Sequence, residues 1–145
     1  MNSSLRAAML FLMVAPAAWA ATPVPTIQVY KSPTCGCCGK WIDYMKASGF
    51  EVVTHETNNV AEHKARLGVP LAMGSCHTAE INGYFVEGHV PAADVKKLLA
   101  EKPRARGVVS PGMPASAPGM NISGNTPYDI LLVRSDGGTT TYARH

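Results

Sequence analysis

The chain has 145 residues with 13 basic and 10 acidic side chains, which gives a formal net charge of +3. This length suits one domain with a hydrophobic core of its own. So weak a positive charge, carried by basic residues that are scattered and not interleaved with aromatics, argues against nucleic acid as a partner.

The first 20 residues have the pattern of a secretory signal peptide. Arg6 precedes an interrupted apolar run, and "AWA" at residues 18–20 fits the small-x-small cleavage rule. The alternative is a membrane anchor, but a span needs about 20 apolar residues, and no second apolar run follows. We therefore predict a signal peptide over residues 1–20, a periplasmic location, and one domain over residues 21–145 with no membrane span.

The first part of the mature chain is predicted to alternate strands and helices. "TIQVY" (26–30) and "FEVVTHE" (50–56) are typical of strands. Between them, apolar residues at helical spacing begin at Cys38, and Gly49 ends that helix. The order strand, helix, strand predicts a parallel crossover.

A second helix and a hairpin are predicted next. The helix begins at Asn58 or Asn59 and stops at Gly68. Residues 69–78 are predicted to be irregular or extended. The run "AEINGYFVEG" then predicts a hairpin that turns at Asn82-Gly83, since Asn-Gly is the strongest short signal for such a turn.

The last third of the chain is predicted to hold one helix, an irregular segment and a second hairpin. Pro91 opens the amphipathic helix. Residues 103–127 are rich in proline and glycine, and we predict a long irregular segment there. The final hairpin turns at Asp136-Gly137. Together these elements predict an α/β fold with a mixed sheet and flanking helices.

Three of the four cysteines lie within four positions, in "TCGCCG", and the fourth is Cys76. A disulfide stabilises most when it closes a long loop, so these three thiols make a poor structural framework even in an exported protein. Cys35 and Cys38 form a C-x-x-C pair at a predicted helix start, which is the setting of a redox-active pair. The positive end of the helix, with Lys31 and Lys40 nearby, would favour a thiolate there.

Cys37 complicates a simple exchange reaction, because a third neighbouring thiol would compete as a nucleophile. Closely spaced thiolates favour Cu(I) and, to a lesser degree, zinc. The residues alone therefore leave two interpretations open: a metal site built from cysteines, or a thiol–disulfide oxidoreductase that uses Cys35 and Cys38. A Cys3His zinc site with His77 is a third, although its ligands usually fall in two separated pairs.

Other candidate donors are weighed against ordinary structural roles. His77 is a ligand, a proton acceptor for thiols or a histidine satisfied by backbone hydrogen bonds, the last because neighbouring strand residues point to opposite faces. His89 is predicted to be a polar residue that precedes a helix, and not a ligand. Simpler roles are expected for the remaining side chains. His55 and His63 are predicted at the surface, and Trp41 and Met45 in the core. The other methionines are predicted either to fill the core or to form a lid over a Cu(I) site; they are Met73, Met113 and Met120.

The motifs "KSPTCGCCGKW", "SCHTAEINGYFVEGHVPAADVKKLL" and "RGVVSPGMPASAPGM" together resemble the CopG-type copper-resistance family of small secreted bacterial proteins. The resemblance runs from about Ile27 to Met120. It implies a thioredoxin-like fold and a periplasmic protein that handles copper, with other copper-handling proteins as partners. It also implies a ligand set and a redox-active cysteine group, formed by Cys35, Cys37, Cys38 and Cys76.

The segment before the hairpin passes beside the redox loop in thioredoxin-like folds, so Cys76 is expected to approach Cys35–Cys38 in space. The leading hypothesis is a periplasmic protein that holds Cu(I) with these four thiolates and couples thiol redox to Cu(I)/Cu(II) interconversion. The alternative hypothesis is the oxidoreductase, with Cys35 and Cys38 as its catalytic pair.

Overall fold

The computed structural model describes residues 25–120, 122 and 124–145. In this part of the chain, seven strands form one mixed sheet, in the order β2-β1-β3-β4-β5-β6-β7. The strands are β1 (Ile27–Lys31), β2 (Val52–Glu56), β3 (His77–Ile81), β4 (Tyr84–Glu87), β5 (Ala105–Val109), β6 (Asp129–Arg134) and β7 (Thr139–Arg144). The helices are α1 (Gly36–Ala47), α2 (Val60–Leu67) and α3 (Ala92–Glu101), with one 3-10 turn at Leu71–Met73.

The predicted parallel crossover is confirmed. β1 and β2 pair in parallel, with Ile27 opposite Val52, and α1 connects them. The second strand begins two residues later than predicted, because Phe50 turns into the core after the Gly49 bend and leaves β2 as an exposed edge strand. α1 buries Cys38, Trp41, Ile42 and Met45, so Trp41 and Met45 are core residues as predicted.

The first hairpin sets the position of the cysteines. It turns at Asn82-Gly83, as predicted, and both residues have the positive φ that this turn requires. β3 runs antiparallel to β1, with His77 opposite Lys31. The start of β3 therefore lies at the end of β1, where the cysteine turn begins, and Cys76 comes directly before that start.

The prediction that residues 103–127 are irregular is wrong at the start of that segment. Ala105–Val109 forms β5, which pairs in parallel with β4 and antiparallel with β6. The burial of Val108 and Val109 on a central strand outweighs the turn signals of Pro103 and Pro111, which flank the strand. After β5 the chain lacks helix or strand among the described residues until Asp129.

The second hairpin and the last helix match the sequence prediction. β6 and β7 pair antiparallel around Ser135–Gly138, and β7 forms the other edge of the sheet. α3 begins after Pro91 and buries Val95 and Leu98 against the main core. That core lies between the sheet and α1 and α3, and its largest members are Trp41, Phe50, Met45, Ile27, Ile81, Leu98 and Ile130.

The mixed α/β architecture is therefore as predicted, while the closer likeness to thioredoxin stays a prediction. The signal peptide and its cleavage point lie outside the described residues. None of the described helices combines the length and hydrophobicity that a membrane crossing requires.

Candidate metal centre

The cysteine turn lies at the N-terminus of α1. Cys35 is the residue before the helix, and Cys37 and Cys38 follow in its first turn, where backbone N–H groups carry partial positive charge. A disulfide joins Cys35 to Cys38, with 5.4 Å between their Cα atoms, and Cys37 keeps a free thiol. A disulfide that closes so short a loop adds little stability. The bond therefore fits a redox-active pair better than a structural framework. Lys31 is paired with Glu56 at 3.0 Å.

Cys76 lies beside this turn, as predicted. Its sulfur is 3.8 Å from the sulfur of Cys37, and Cys37 is 3.6 Å from the sulfur of Cys35. The sulfur atoms of Cys35, Cys37, Cys38 and Cys76 all lie within 4.8 Å of one another. Four soft donors thus face a common centre, although one of them comes from a distant part of the chain.

A buried ion pair holds the segment that carries Cys76. The backbone N–H of Ser75 donates to Glu87 Oε1 at 2.6 Å, and the same carboxylate oxygen accepts from Lys64 of α2. Glu87 is fully buried, and burial raises its pKa, while Lys64 and the Ser75 N–H oppose that rise. The segment also packs closely against Gly88, because a Cβ at that position would lie 2.6 Å from the Ser75 hydroxyl.

His89 is the main correction at the site. Its side chain is fully buried, and its Nε2 lies 3.2 Å from the Cys76 sulfur. Its Nδ1 donates to the carbonyl oxygen of Pro118 at 2.8 Å. A carbonyl only accepts, so Nδ1 carries the hydrogen and Nε2 presents its lone pair to the sulfur. The sequence places this residue just before a helix but gives no sign of the Pro118 contact, which comes from a loop 29 positions away.

His77 also turns towards the sulfur. Its Nδ1 lies 3.8 Å from the sulfur of Cys76, and its Nε2 is buried without a hydrogen-bond partner among the described residues. The ring packs on Trp41 and meets His89 edge to face, with centroid distances of 4.5 Å and 5.1 Å. The backbone of Gly88 interacts with this ring and opposes the effect of burial on its pKa, so both interpretations of His77, ligand and histidine satisfied by the backbone, stay predictions.

Burial sets the protonation state of this group. It lowers the pKa of His77 well below the usual range and lowers that of His89, so both rings are neutral near pH 7. Burial, followed by the neighbouring Cys37, raises the pKa of Cys76 to about 11. The Cys76 thiol is therefore protonated near neutral pH, and its S–H donates to Nε2 of His89.

The remaining predicted donors lie elsewhere or stay untested. His55 is exposed, as predicted, but His63 is half-buried, and both stack on Tyr30 at centroid distances of 4.9 Å and 4.0 Å. Met73 packs at the edge of a small core cluster, in line with core filling. Met113 is 59% exposed, which argues against a core role, and the methionine lid stays a prediction.

Comparison with known proteins agrees with this geometry. A family described as "Protein of unknown function, DUF411" matches residues 73–120, and no curated protein matches the chain. A solved structure named "Copper resistance protein copG- Form 2" is 41% identical, with a TM-score of 0.81, and the match covers 85% of this chain and 99% of the other. The chain belongs to the CopG family. A structure named "Form 1" of the same protein gives 42% identity, a TM-score of 0.80, and coverage of 86% and 98%.

Two kinds of chemistry are open to this CopG-family site. Four clustered sulfurs are suited to a soft metal ion, and thiolate sulfur binds such ions more strongly than oxygen donors do. The Cys35–Cys38 pair is suited to gaining and losing two electrons as it opens and closes its disulfide. Both use the same sulfur atoms, so metal binding by all four requires the disulfide to be open.

Proposed function

We propose that the chain is a periplasmic copper-binding protein whose reduced form holds Cu(I) with the thiolates of Cys35, Cys37, Cys38 and Cys76. The observation that carries the proposal is the approach of all four sulfurs to within 4.8 Å of one another. The copper-resistance names of the relatives supply the identity of the metal. The same proposal includes the signal peptide over residues 1–20, the single domain that follows, its thioredoxin-like fold and delivery partners among copper-handling proteins.

The disulfide gives the site a route to change the oxidation state of copper. Two thiols of Cys35 and Cys38 can reduce two Cu(II) ions to two Cu(I) ions, forming the disulfide and releasing two protons. The reverse reaction returns two electrons and two protons to the sulfurs. Because Cu(I) prefers sulfur and Cu(II) prefers nitrogen and oxygen donors, such a change in oxidation state also changes the preferred ligands.

The test is an anaerobic Cu(I) titration of the reduced chain and of Cys76→Ser. We expect the variant to lose about 100-fold or more in affinity, since loss of even a supporting residue weakens metal binding about 10–100-fold. The matched control is the unmodified chain with its disulfide closed, in which Cys37 and Cys76 are the free thiols. Equal affinity for the reduced chain and the variant would contradict the proposal.

A second candidate function is thiol–disulfide exchange by Cys35 and Cys38, which the disulfide at the start of α1 supports. The third thiol separates the two functions. The oxidoreductase is favoured if Cys37→Ser retains exchange activity and Cys35→Ser abolishes it. In that case both variants should also bind as many Cu(I) ions as the unmodified chain does. If Cys37→Ser lowers the Cu(I) stoichiometry as well, the metal cluster is favoured.

A further inference from the structure

A second donor group overlaps the sulfur cluster. Among the described residues, Cys76, His77 and His89 present a sulfur and two ring nitrogens, with one ligand atom from each lying within 4.8 Å of the others. This group shares Cys76 with the four-cysteine cluster and differs from it in its other donors. Cys76 thus lies between a sulfur-rich side and a nitrogen-rich side.

One histidine on the nitrogen side is oriented by a backbone carbonyl. The Pro118 carbonyl fixes the His89 tautomer and points its Nε2 lone pair at the shared sulfur. A hydrogen bond from the second ring nitrogen to a carbonyl is the usual way in which proteins orient metal-binding histidines. The ring is fully buried, so Nε2 faces the sulfur without competition from bulk water.

His77 brings a second ring nitrogen to the shared sulfur. Its ring is fully buried, yet Nε2 has no described hydrogen-bond partner and Nδ1 faces the Cys76 sulfur at 3.8 Å. A buried polar atom without a partner is normally avoided because it loses its bonds to water. Nδ1 itself has only this weak contact with the sulfur, so a metal ion held by the group would give Nδ1 a stronger partner.

The state of the disulfide decides which donors are free. When Cys35 and Cys38 are joined, two of the four sulfurs leave the thiolate cluster, and Cys37 and Cys76 remain. The nitrogens of His77 and His89 are not affected by that bond. The disulfide form can therefore offer a metal ion two imidazole nitrogens and one or two thiol sulfurs.

We propose that the disulfide form of the chain binds one divalent transition-metal ion through Cys76, His77 and His89, so that the shared sulfur serves a nitrogen-rich site when the thiolate cluster is closed. Mixed imidazole and thiolate donors suit divalent copper and zinc, and divalent copper binds most tightly in the first-row series. The identification of copper as the natural ion rests on the proposed function, whereas the donor set rests on the geometry alone.

The test is a Co(II) titration of the full chain in its disulfide form, with two free thiols verified by alkylation. Co(II) is the probe because, unlike Cu(II), it does not oxidise neighbouring thiols. We expect one Co(II) per chain, with X-ray absorption that shows two nitrogen neighbours of imidazole type and one or two sulfurs. His77→Gln and His89→Gln should each weaken binding by at least about tenfold, and the exposed control His55→Gln should not change it.

Three results would overturn the inference. They are no Co(II) uptake by the disulfide form, a bound ion with no imidazole neighbours, and folded His77→Gln and His89→Gln variants that bind as the unmodified chain does. Should either variant fail to fold in thermal unfolding, the neighbour count on the unmodified chain decides. A parallel Cu(I) titration of the reduced chain separates the proposals, because its failure contradicts the thiolate cluster and leaves the Co(II) result standing.

Discussion

Two regions of the molecule combine a pair of histidines with an ion pair from α2, and they differ in what surrounds the rings. In the sulfur region, His77 and His89 are fully buried against Cys76, and Lys64 pairs with the buried Glu87. Its polar groups are enclosed by β3, β4 and the loops around them.

The second region, the Tyr30 stack, consists of Tyr30 and the two rings stacked on it, those of His55 and His63. Here Arg66 pairs with Glu80 at 3.0 Å, with side chains 49% and 30% exposed. Nε2 of His55 forms a hydrogen bond with Oε1 of Gln28 at 2.7 Å. Among the described residues, no group of three or more cysteine, histidine or acidic donors includes this pair.

A pair of histidines becomes a candidate metal site when a third donor lies beside it and both rings are buried. His63 also has a ring nitrogen without a described partner, yet the group packed on its ring is the aromatic side chain of Tyr30. His77 and His89 instead share a sulfur. Five predictions test this difference.

The largest expected effect is on stability. Lys64→Met removes the counter-charge of the buried Glu87, and breaking a buried pair costs about 3–5 kcal/mol. Arg66→Met breaks the exposed pair with Glu80 and should cost about 0–1 kcal/mol. Denaturant unfolding of the disulfide form near neutral pH measures both losses, and equal losses would contradict the distinction.

The pH dependence of that loss has a definite sign. Burial raises the pKa of Glu87, and removing Lys64 takes away an interaction that opposes the rise. A carboxyl group with a raised folded-state pKa contributes stability at low pH that is lost as the pH rises through that pKa. The deficit of Lys64→Met should therefore shrink as the pH falls from about 7 to about 5. A deficit that grows on acidification would contradict this assignment.

The next effect is the pH dependence of Cu(I) binding by the reduced chain. Because the pKa of Cys76 is raised to about 11, binding must release its proton throughout the neutral range. Affinity should rise by at least about tenfold for each pH unit between about pH 6 and pH 8. Competition titrations with a Cu(I) chelator of known pH response measure the slope. His55→Gln should retain it, and a flat profile would exclude Cys76 as a ligand.

A smaller effect is expected from the loop that orients His89. Gly119 follows the Pro118 carbonyl, and a Cβ at Gly119 would lie 2.7 Å from the backbone nitrogen of Trp41. Gly119→Ala should displace this loop and weaken Co(II) binding by the disulfide form by about tenfold. Gly137→Ala is the matched control, because Gly137 also has a positive φ but no described atom lies within 4 Å of its Cβ position. Equal effects of the two variants would assign the loss to backbone strain alone.

The smallest effect on metal binding is expected from a change in the Tyr30 stack. Tyr30→Leu removes both ring contacts and should cost about 0.5–1.5 kcal/mol per aromatic pair. Cu(I) binding by the reduced chain and Co(II) binding by the disulfide form should stay unchanged. Unfolding and both titrations on the same preparation check this, and a loss of metal binding would show that the two regions are coupled.

Elements that depend on local chemistry could be predicted from the sequence. Asn82-Gly83 adopts the positive φ at both positions that its turn requires, which is why this dipeptide between two apolar runs predicted the hairpin. Asn59 caps α2 by accepting from the Glu62 N–H, and Gly68 ends it in a left-handed conformation. The approach of Cys76 to the cysteine turn was expected from the resemblance to a known fold.

Elements that depend on distant partners could not be predicted in this way. β5 is a strand because β4 and β6 pair with it on both sides, and neither pairing is visible in a run that contains Gly107 between two prolines. His89 faces the sulfur because Pro118 accepts from its other nitrogen. Such roles arise only when the loops are packed together.

The central claim is that four sulfurs from two distant segments bind copper together. X-ray absorption on the reduced chain, loaded anaerobically with Cu(I), counts the sulfur neighbours of each copper ion. We predict a shell made of sulfur, with at least two sulfurs around each ion and fewer bound ions in Cys76→Ser. Copper held by fewer than two sulfurs, or the same spectrum and stoichiometry without Cys76, would contradict the account.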